Sequence, residues 1–338
     1  MDDERLEPTP HALLRLSYDA GRRTYWRFIG EPAEAARAFI ERRSAASGVG
    51  LYATRPIRTG ERLIVEAPLA TWSVAADATN EEKIRSFEAM AAKLPPHTVQ
   101  ALLQLSQSPR YGPQQNLLGT WQTNGLPINY ENAARPGTTS RELASRREAA
   151  VFATVCRLNH SCAPNCHAEW NGELGRETVH ALVDIPAGQE LTICYLPPGG
   201  MERARRRAQL LEEHGFECRC ARCELTGDEL ATSEARQRAI GILCRPEESQ
   251  LGTAEHLQRL NLRLRFMSQE GMPHLWAWKP VLFPLMTVSM EELVRDSSAP
   301  NRRRVLDWAG RAWRVVRDGM GEDHPAAKYL SLFVEQIS

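Results

Sequence analysis

Cysteine placement constrains this chain more than any other feature. Its eight cysteines stand at 156, 162, 166, 194, 218, 220, 223 and 244, so none falls in the first 155 residues and three fall within six. Disulfide frameworks belong to short, dense, secreted domains, whereas thiols clustered in an intracellular chain more often hold a metal ion. Cys218-x-Cys220-x-x-Cys223 lies in a polar segment beside Arg219 and Arg222, where thiols have little packing value. A closed structural zinc site is tetrahedral, so a fourth ligand has to come from elsewhere; Cys194, Cys166 and Cys162 are the nearest candidates in sequence. The alternative for a lone cysteine is a small buried hydrophobe, which is the expectation for Cys156, Cys194 and Cys244.

The 338 residues suggest two or three units sharing a sizeable core. At 42% hydrophobic and 25% charged the composition is that of a globular chain, not a disordered one. Forty-two basic side chains cancel forty-two acidic ones, which removes the electrostatic footprint on which phosphate binding rests; no direct nucleic-acid site is evident. The start, Met1-Asp2-Asp3-Glu4-Arg5 followed by Pro8 and Pro10, is unlike an export signal. The apolar stretch 275–290 is broken by Lys279, Pro280 and Pro284, short of the ~20 residues that span a bilayer. The chain is therefore expected in the cytoplasm, the nucleus or both, away from membranes, and the sequon Asn159-His160-Ser161 carries no weight there.

Residues 1–45 read as a polar, helical extension, with a helix over 31–43. Two short runs, 48–53 and 63–67, flank Arg58-Thr59-Gly60-Glu61 and predict a β-hairpin. Residues 80–106 predict helix, with Asn80 as N-cap before Glu81 and Glu82; Pro95-Pro96 interrupts it, and a second helix starts near His97. Residues 132–145 are loop-like. Strand signals return at 179–184 and 190–195, 201–214 predicts a charged helix, and 230–338 read as helices. Arg203, Arg205, Arg206 and Arg207 form a basic run flanked by Glu202, Glu212 and Glu213, the pattern of a solvated helix face. Trp276, Trp278, Trp308 and Trp313 are expected as core or groove anchors. Central strands with inserted and appended helices make an α+β architecture.

The string Arg157-Leu158-Asn159-His160-Ser161-Cys162-Ala163-Pro164-Asn165-Cys166 resembles the Asn-His-Ser-Cys-x-Pro-Asn signature of SET-domain methyltransferases. Three further pieces follow that family's order. Gly48-x-Gly50-Leu51 with Ile57 and Gly60-Glu61 resembles its N-terminal strands. Gly188 to Tyr195 resembles the strand ending in its active-site tyrosine, and Phe216-Glu217-Cys218-Arg219-Cys220-Ala221-Arg222-Cys223 its post-SET zinc loop. The nearest branch is the SET-and-MYND group and its fungal-type relatives, without the MYND zinc module, since residues 70–150 contain no cysteine. The resemblance implies small sheets around a knot-like crossing. It divides the chain into SET parts at 46–72 and 151–200, a helical insert at 73–150, a zinc-bound loop at 201–225 and a helical region at 226–338.

The resemblance also implies roles. S-adenosylmethionine would lie against Gly48, Gly50 and Leu51, where a missing Cβ lets the backbone approach a ligand, and against Asn124, Asn159 and His160, with Phe216 stacked on the adenine. Cys162 would complete one structural zinc with Cys218, Cys220 and Cys223. Tyr195 would hold the acceptor, a protein lysine on a histone tail or elsewhere, and the protein would act as a monomer. Two positions depart from the family pattern: Leu126 and His214 stand where relatives often carry aromatics walling the lysine channel, leaving it wider and partly polar. A scaffold without catalysis and a SET fold turned to small-molecule chemistry are the rival expectations.

Overall fold

The computed structural model describes residues 13–17, 25–29, 38–44, 48–128, 146–197, 199–243 and 253–338. Its strands form several small sheets because the chain repeatedly leaves one sheet for another after about five residues. β1 (Leu13–Ser17) and β2 (Tyr25–Ile29) pair antiparallel by themselves. β3 (Phe39–Ser44) and β4 (Gly48–Ala53) open a second sheet. The helix expected over 31–43 is thus a strand over its described C-terminal part, since Phe39 to Ser44 find partners across β4 and long-range pairing overrides local period. Residues 31–37 lie outside the described part.

The expected hairpin is not formed either. β5 (Arg62–Glu66) pairs with β11 (Arg176–Ala181), which pairs with β10 (Cys166–Asn171), whereas β4 sits between β3 and β12 (Glu190–Ile193). The turn between β4 and β5 is held from outside: Thr59 N–H donates to Asp184 Oδ1 at 2.8 Å, and Gly60 N–H to the Ala181 carbonyl at 2.8 Å. These bonds carry the chain across to the next sheet. β6 (Ala70–Ala75), β8 (Arg146–Val151) and β7 (Leu126–Pro127) form the remaining sheet, in the order β6-β8-β7.

Between β6 and β7 lie α1 (Asn80–Ala91), α2 (Pro96–Leu102) and α3 (Leu117–Asn124). The N-cap of α1 is Thr79 and not Asn80, because only Thr79 has a glutamate three residues on; Glu82 N–H and the Thr79 side chain, and Thr79 N–H and the Glu82 carboxylate, form a capping box. Trp72, Phe87 and Trp121 pack edge to face, 5.7 to 6.4 Å apart, and fasten α1 and α3 to β6. The loop-like 132–145 lies outside the described residues.

The crossing sits at β9 (Asn159–His160), which runs parallel to β12. Ser161 N–H donates to the Ile193 carbonyl at 2.9 Å. Buried Asn165 then grips β12 twice: its Nδ2 donates to the Glu190 carbonyl and its Oδ1 accepts from Thr192 N–H, both at 2.8 Å. Six residues after leaving the β12 sheet at His160 the chain has moved into β10 of its neighbour. Leu51, Ile57, Phe152, Leu158, Ile185 and Leu191 fill the space between, each at most 2% exposed, a burial worth about 1.5–3 kcal/mol per large side chain.

The C-terminal region is helical as expected: α4 (Arg203–His214), α5 (Gly227–Ile242), α6 (Thr253–Gln269), α7 (Phe283–Arg295), α8 (Ala299–Met320) and α9 (Pro325–Ile337). α7, α8 and α9 build a second core around Leu285, Ala309, Val316 and Leu330. This body docks on the β10–β11–β5 sheet, where Arg62 donates from Nη1 to Asp323 Oδ2 at 2.9 Å and from Nε to His180 Nε2 at 2.9 Å. No helix among the described residues is long and apolar enough to cross a membrane.

Past β12 the chain presses against α5 so closely that a Cβ on Gly200 would overlap the backbone at Gln237 and Gly241, while one on Gly199 would meet nothing within 4 Å. Gly200→Ala is therefore expected to destabilise the fold by about 1–3 kcal/mol, with Gly199→Ala close to neutral. Thermal melting of the two variants checks this; equal melting temperatures would show that the close approach is not tight.

Candidate active site

Tyr195 follows the end of β12 by two residues and is fixed at both ends. Its N–H donates to His160 Nδ1 at 3.0 Å and its hydroxyl to the Leu158 carbonyl at 2.6 Å. The crossing makes both contacts possible, because β9 runs alongside β12. Burial pushes the phenol well above its ordinary pKa, so the group is a neutral hydrogen-bond donor and not a base. Around it stand His160, His214 and Phe216, with ring centres 5.3, 4.8 and 6.4 Å from that of Tyr195.

Gly48, Gly50 and Leu51 lie on β4 within reach of the crossing. Leu51 is buried in the core. Gly48 has φ +74°, a left-handed conformation, with nothing within 4 Å of where a Cβ would be. Gly50 is different: a Cβ there would collide with the Glu190 carboxylate and come within 2.7 Å of the Asn159 amide nitrogen. That nitrogen donates to Glu190 Oε1 at 2.7 Å and to the Val49 carbonyl at 3.1 Å. The missing side chain at Gly50 thus accommodates the protein's own Asn159–Glu190 contact.

Asn124 and Leu126 stand elsewhere, in the wall of a cavity of about 430 Å³ that also takes in Tyr195 and His214. Asn124 closes α3, and its amide donates to the carbonyls of Ser106 and Thr120 at 2.7 and 2.8 Å, leaving its side-chain oxygen available. Leu126 pairs with Ala150 across the β7–β8 ladder. His214 ends α4; its Nδ1 has no hydrogen-bond partner among the described residues, and burial lowers its imidazole below the usual range. That shift favours the neutral form of the ring. Trp276, on a short turn of the C-terminal region, lines the same cavity.

Cys162, Cys218, Cys220 and Cys223 come together, with their four sulfurs within 4.8 Å of one another. Cys162 Sγ is 3.5 Å from that of Cys223 and 4.0 Å from that of Cys218, and all are free thiols. The cluster could hold a metal ion. Hydrogen bonds from the Cys162 and Cys218 thiols pull Cys220 and Cys223 below the ordinary thiol range. Cys156, Cys166 and Cys194 stay apart: burial pushes the first two up to about 12 and the third up to about 11. Cys156 and Cys194 are partly and not fully buried, and Cys244 lies outside the described residues.

The basic run on α4 is not simply a solvated face. Arg206 is buried, donating to the Met201 carbonyl at 2.6 Å and lying 3.9 Å from Cys223 Sγ. Arg203 reaches the Leu225 carbonyl at 2.9 Å. Buried Arg222 donates to the Cys162 carbonyl at 3.2 Å and faces Glu270 at 3.5 Å. The signal for Arg206 was its place four residues before buried Leu210, on the same helix face. Glu190, Asn165 and Glu177 were also missed as site residues. Of the tryptophans, Trp308 and Trp313 are stacked by Arg311 and Arg317, each 4.8 Å from the ring centre; the side chain of Trp278 lies outside the described part.

The SET domain family model matches residues 48–196, the interval that contains β4, the crossing and Tyr195. The chain is similar to the histone-lysine N-methyltransferase SMYD3 of Homo sapiens, 40% identical over 95 residues that make up 26% of this chain and 22% of that protein. It is similar to the histone-lysine N-methyltransferase set5 of Schizosaccharomyces pombe, 29% identical over 178 residues, or 53% and 48% of the two chains. The protein-lysine N-methyltransferase SMYD4 of Mus musculus is 38% identical over 87 residues, or 25% and 10%. The chain thus spans between 10% and 48% of the length of these relatives. Residues 48–196 of this chain are a SET domain.

Proposed function

We propose that this chain is a protein-lysine N-methyltransferase that uses S-adenosylmethionine and carries one structural zinc. The observation that carries the reading is the double membership of Tyr195: its ring belongs to the His160–Phe216 group, and the same residue lines the cavity with Leu126 and His214. One group suits the cofactor and the other an acceptor side chain, with the tyrosine between them. The relatives named as lysine methyltransferases make a protein lysine, on a histone or another protein, the acceptor of choice. Such a substrate fits a protein of the cytoplasm or nucleus.

The residues present suit the cofactor. The outer edge of β9, the open space at Gly48 and the Phe216 ring would receive it, while Asn159 is held in place by Glu190. When bound, S-adenosylmethionine supplies a sulfonium methyl, which passes to a nitrogen lone pair as the sulfur–carbon bond breaks. The protein's own part is alignment and water exclusion. The cavity around Leu126 desolvates an incoming ammonium, lowers its pKa and favours loss of a proton to solvent, leaving the neutral amine. Tyr195, fixed by the Leu158 carbonyl and His160, keeps its ring and hydroxyl at the boundary between amine and methyl group.

Zinc fits the thiol cluster on geometry and charge. A tetrahedron with metal–sulfur bonds of about 2.3 Å has its sulfurs about 3.8 Å apart, and the separations of 3.5 and 4.0 Å bracket that value. Four thiolates around a divalent ion leave two negative charges, and Arg206 and Arg222 stand beside them, both buried. Holding Cys162 to the 218–223 loop keeps Phe216 near His160, 6.1 Å between ring centres, so zinc here is a clamp and takes no part in chemistry.

Incubation with radiolabelled S-adenosylmethionine, histones and cell extract is expected to label a protein band. Bound cofactor without any transfer would overturn the enzymatic reading in favour of a scaffold. Tyr195→Phe is expected to lower the transfer rate by about 100-fold or more while cofactor affinity, measured by calorimetry, stays within about twofold; equal losses in both would remove the assigned role. Purified protein is expected to hold zinc at roughly equimolar content. Cys162→Ser should lose that metal, melt lower and bind cofactor more weakly, whereas Cys194→Ser should keep the metal. Elemental analysis showing full zinc in Cys162→Ser would exclude Cys162 as a ligand.

A further inference from the structure

The cavity beside Tyr195 extends to the β10–β11 sheet. Its wall includes Glu177 on β11 and Trp170 on β10. These two oppose each other in the β10–β11 register, so their side chains leave the same sheet face, the one shared by Cys166 and Ala168. Glu177 is 3% exposed, and its Oε2 has no hydrogen-bond partner among the described residues. Its neighbour across β5 is Glu66, a carboxylate already taken up by the N–H groups of Thr154 and Val155 at 2.9 Å. Burial, then repulsion from Glu169 and Glu66, push the Glu177 carboxyl well above its usual range. Glu169 itself is engaged with His167 at 3.2 Å. A buried carboxyl surrounded by like charge is costly, and a positive group entering from the cavity is what would offset that cost.

We propose that Glu177 anchors a cationic subsite within the acceptor cavity, and that the substrate is a protein segment carrying arginine or lysine two positions from the methylated lysine. The proposal deepens the methyltransferase reading and rests on it. Two positions is the spacing because alternate side chains of an extended segment share a face, about 6.6 Å apart, whereas immediate neighbours point in opposite directions. Trp170 and Trp276, both in the cavity wall, offer aromatic surface of the kind on which a guanidinium packs. An entering cation favours the ionised form of the Glu177 carboxyl, which then supplies the counter-charge.

The test uses the full chain loaded with S-adenosylhomocysteine and three synthetic peptides built on an alanine host with one central lysine. One has arginine at both second positions, one has uncharged, isosteric citrulline there, and one has arginine moved to the adjacent positions. Calorimetry is expected to show the first peptide binding about tenfold or more tighter than the other two. Glu177→Gln is expected to melt no lower than wild type and to bring the arginine-to-citrulline ratio within about twofold. A wild-type ratio near one, whether the peptides bind equally or not at all, overturns the subsite, and so does a ratio that survives in a folded Glu177→Gln. The wild-type comparison decides the matter even if that variant does not fold. Methyl transfer to the same peptides is read separately. Charge-dependent binding without transfer leaves the subsite standing and sinks the enzymatic reading; transfer indifferent to the second charge does the reverse.

Discussion

The grip of Asn165 on β12 is the constraint from which the rest of the site follows. By accepting from Thr192 N–H and donating to the Glu190 carbonyl, one buried side chain satisfies two backbone groups and ties a segment to a strand it never joins as a ladder partner. Such bonds contribute only about 0.5–1.5 kcal/mol each, but leaving either group unmet in the interior would cost more. The consequence is positional. With β9 laid along β12, His160 reaches Tyr195, Asn159 reaches Glu190 over Gly50, and Cys162 is delivered to sulfurs 56 to 61 residues further along the chain.

What was legible in the residues was what chemistry confines to a short stretch. The run from Arg157 to Cys166 and the trio at 218–223 announce themselves because backbone crossings and thiol clusters tolerate few substitutes. Features that depend on distant partners did not show. Phe39 to Ser44 carry a locally ambiguous pattern and become a strand only because β4 offers an edge. The runs 48–53 and 63–67 have hairpin chemistry between them, yet Asp184 and Ala181 hold the turn from another part of the chain. Glu177 was hidden because the strand read as beginning at Val179, whereas β11 begins at Arg176; a carboxylate just outside an apolar run looks like a turn residue.

Charge explains why the thiol loop and the helices around it form one body. Four cysteines able to hold a metal ion are a local excess of negative charge once ionised, and α4 and the loop turn Arg206 and Arg222 inward to meet it. The formal charge of zero over the whole chain conceals this arrangement. Arg222 also faces Glu270 beyond α6, at 3.5 Å with both side chains buried, and Glu270 in turn bonds Ser233 of α5. Breaking one partner of such a pair is costly, since it strands a charge in the interior.

The cavity is assembled from parts that fold on separate cores. Asn124 and Leu126 come from the helices and edge strand between β6 and β8, Tyr195 and Glu177 from the central sheets, His214 from the end of α4 and Trp276 from the C-terminal region. No one of these parts determines its shape. Their relative placement rests on polar junctions, the Arg62–Asp323–His180 cluster on one side and Arg222–Glu270 on the other. Buried and half-buried ion pairs add little net stability compared with apolar packing of the same volume, but they are directional, and a shift of the helical body would leave them unpaired. The shape of the cavity is therefore set by docking geometry as much as by the residues in the wall.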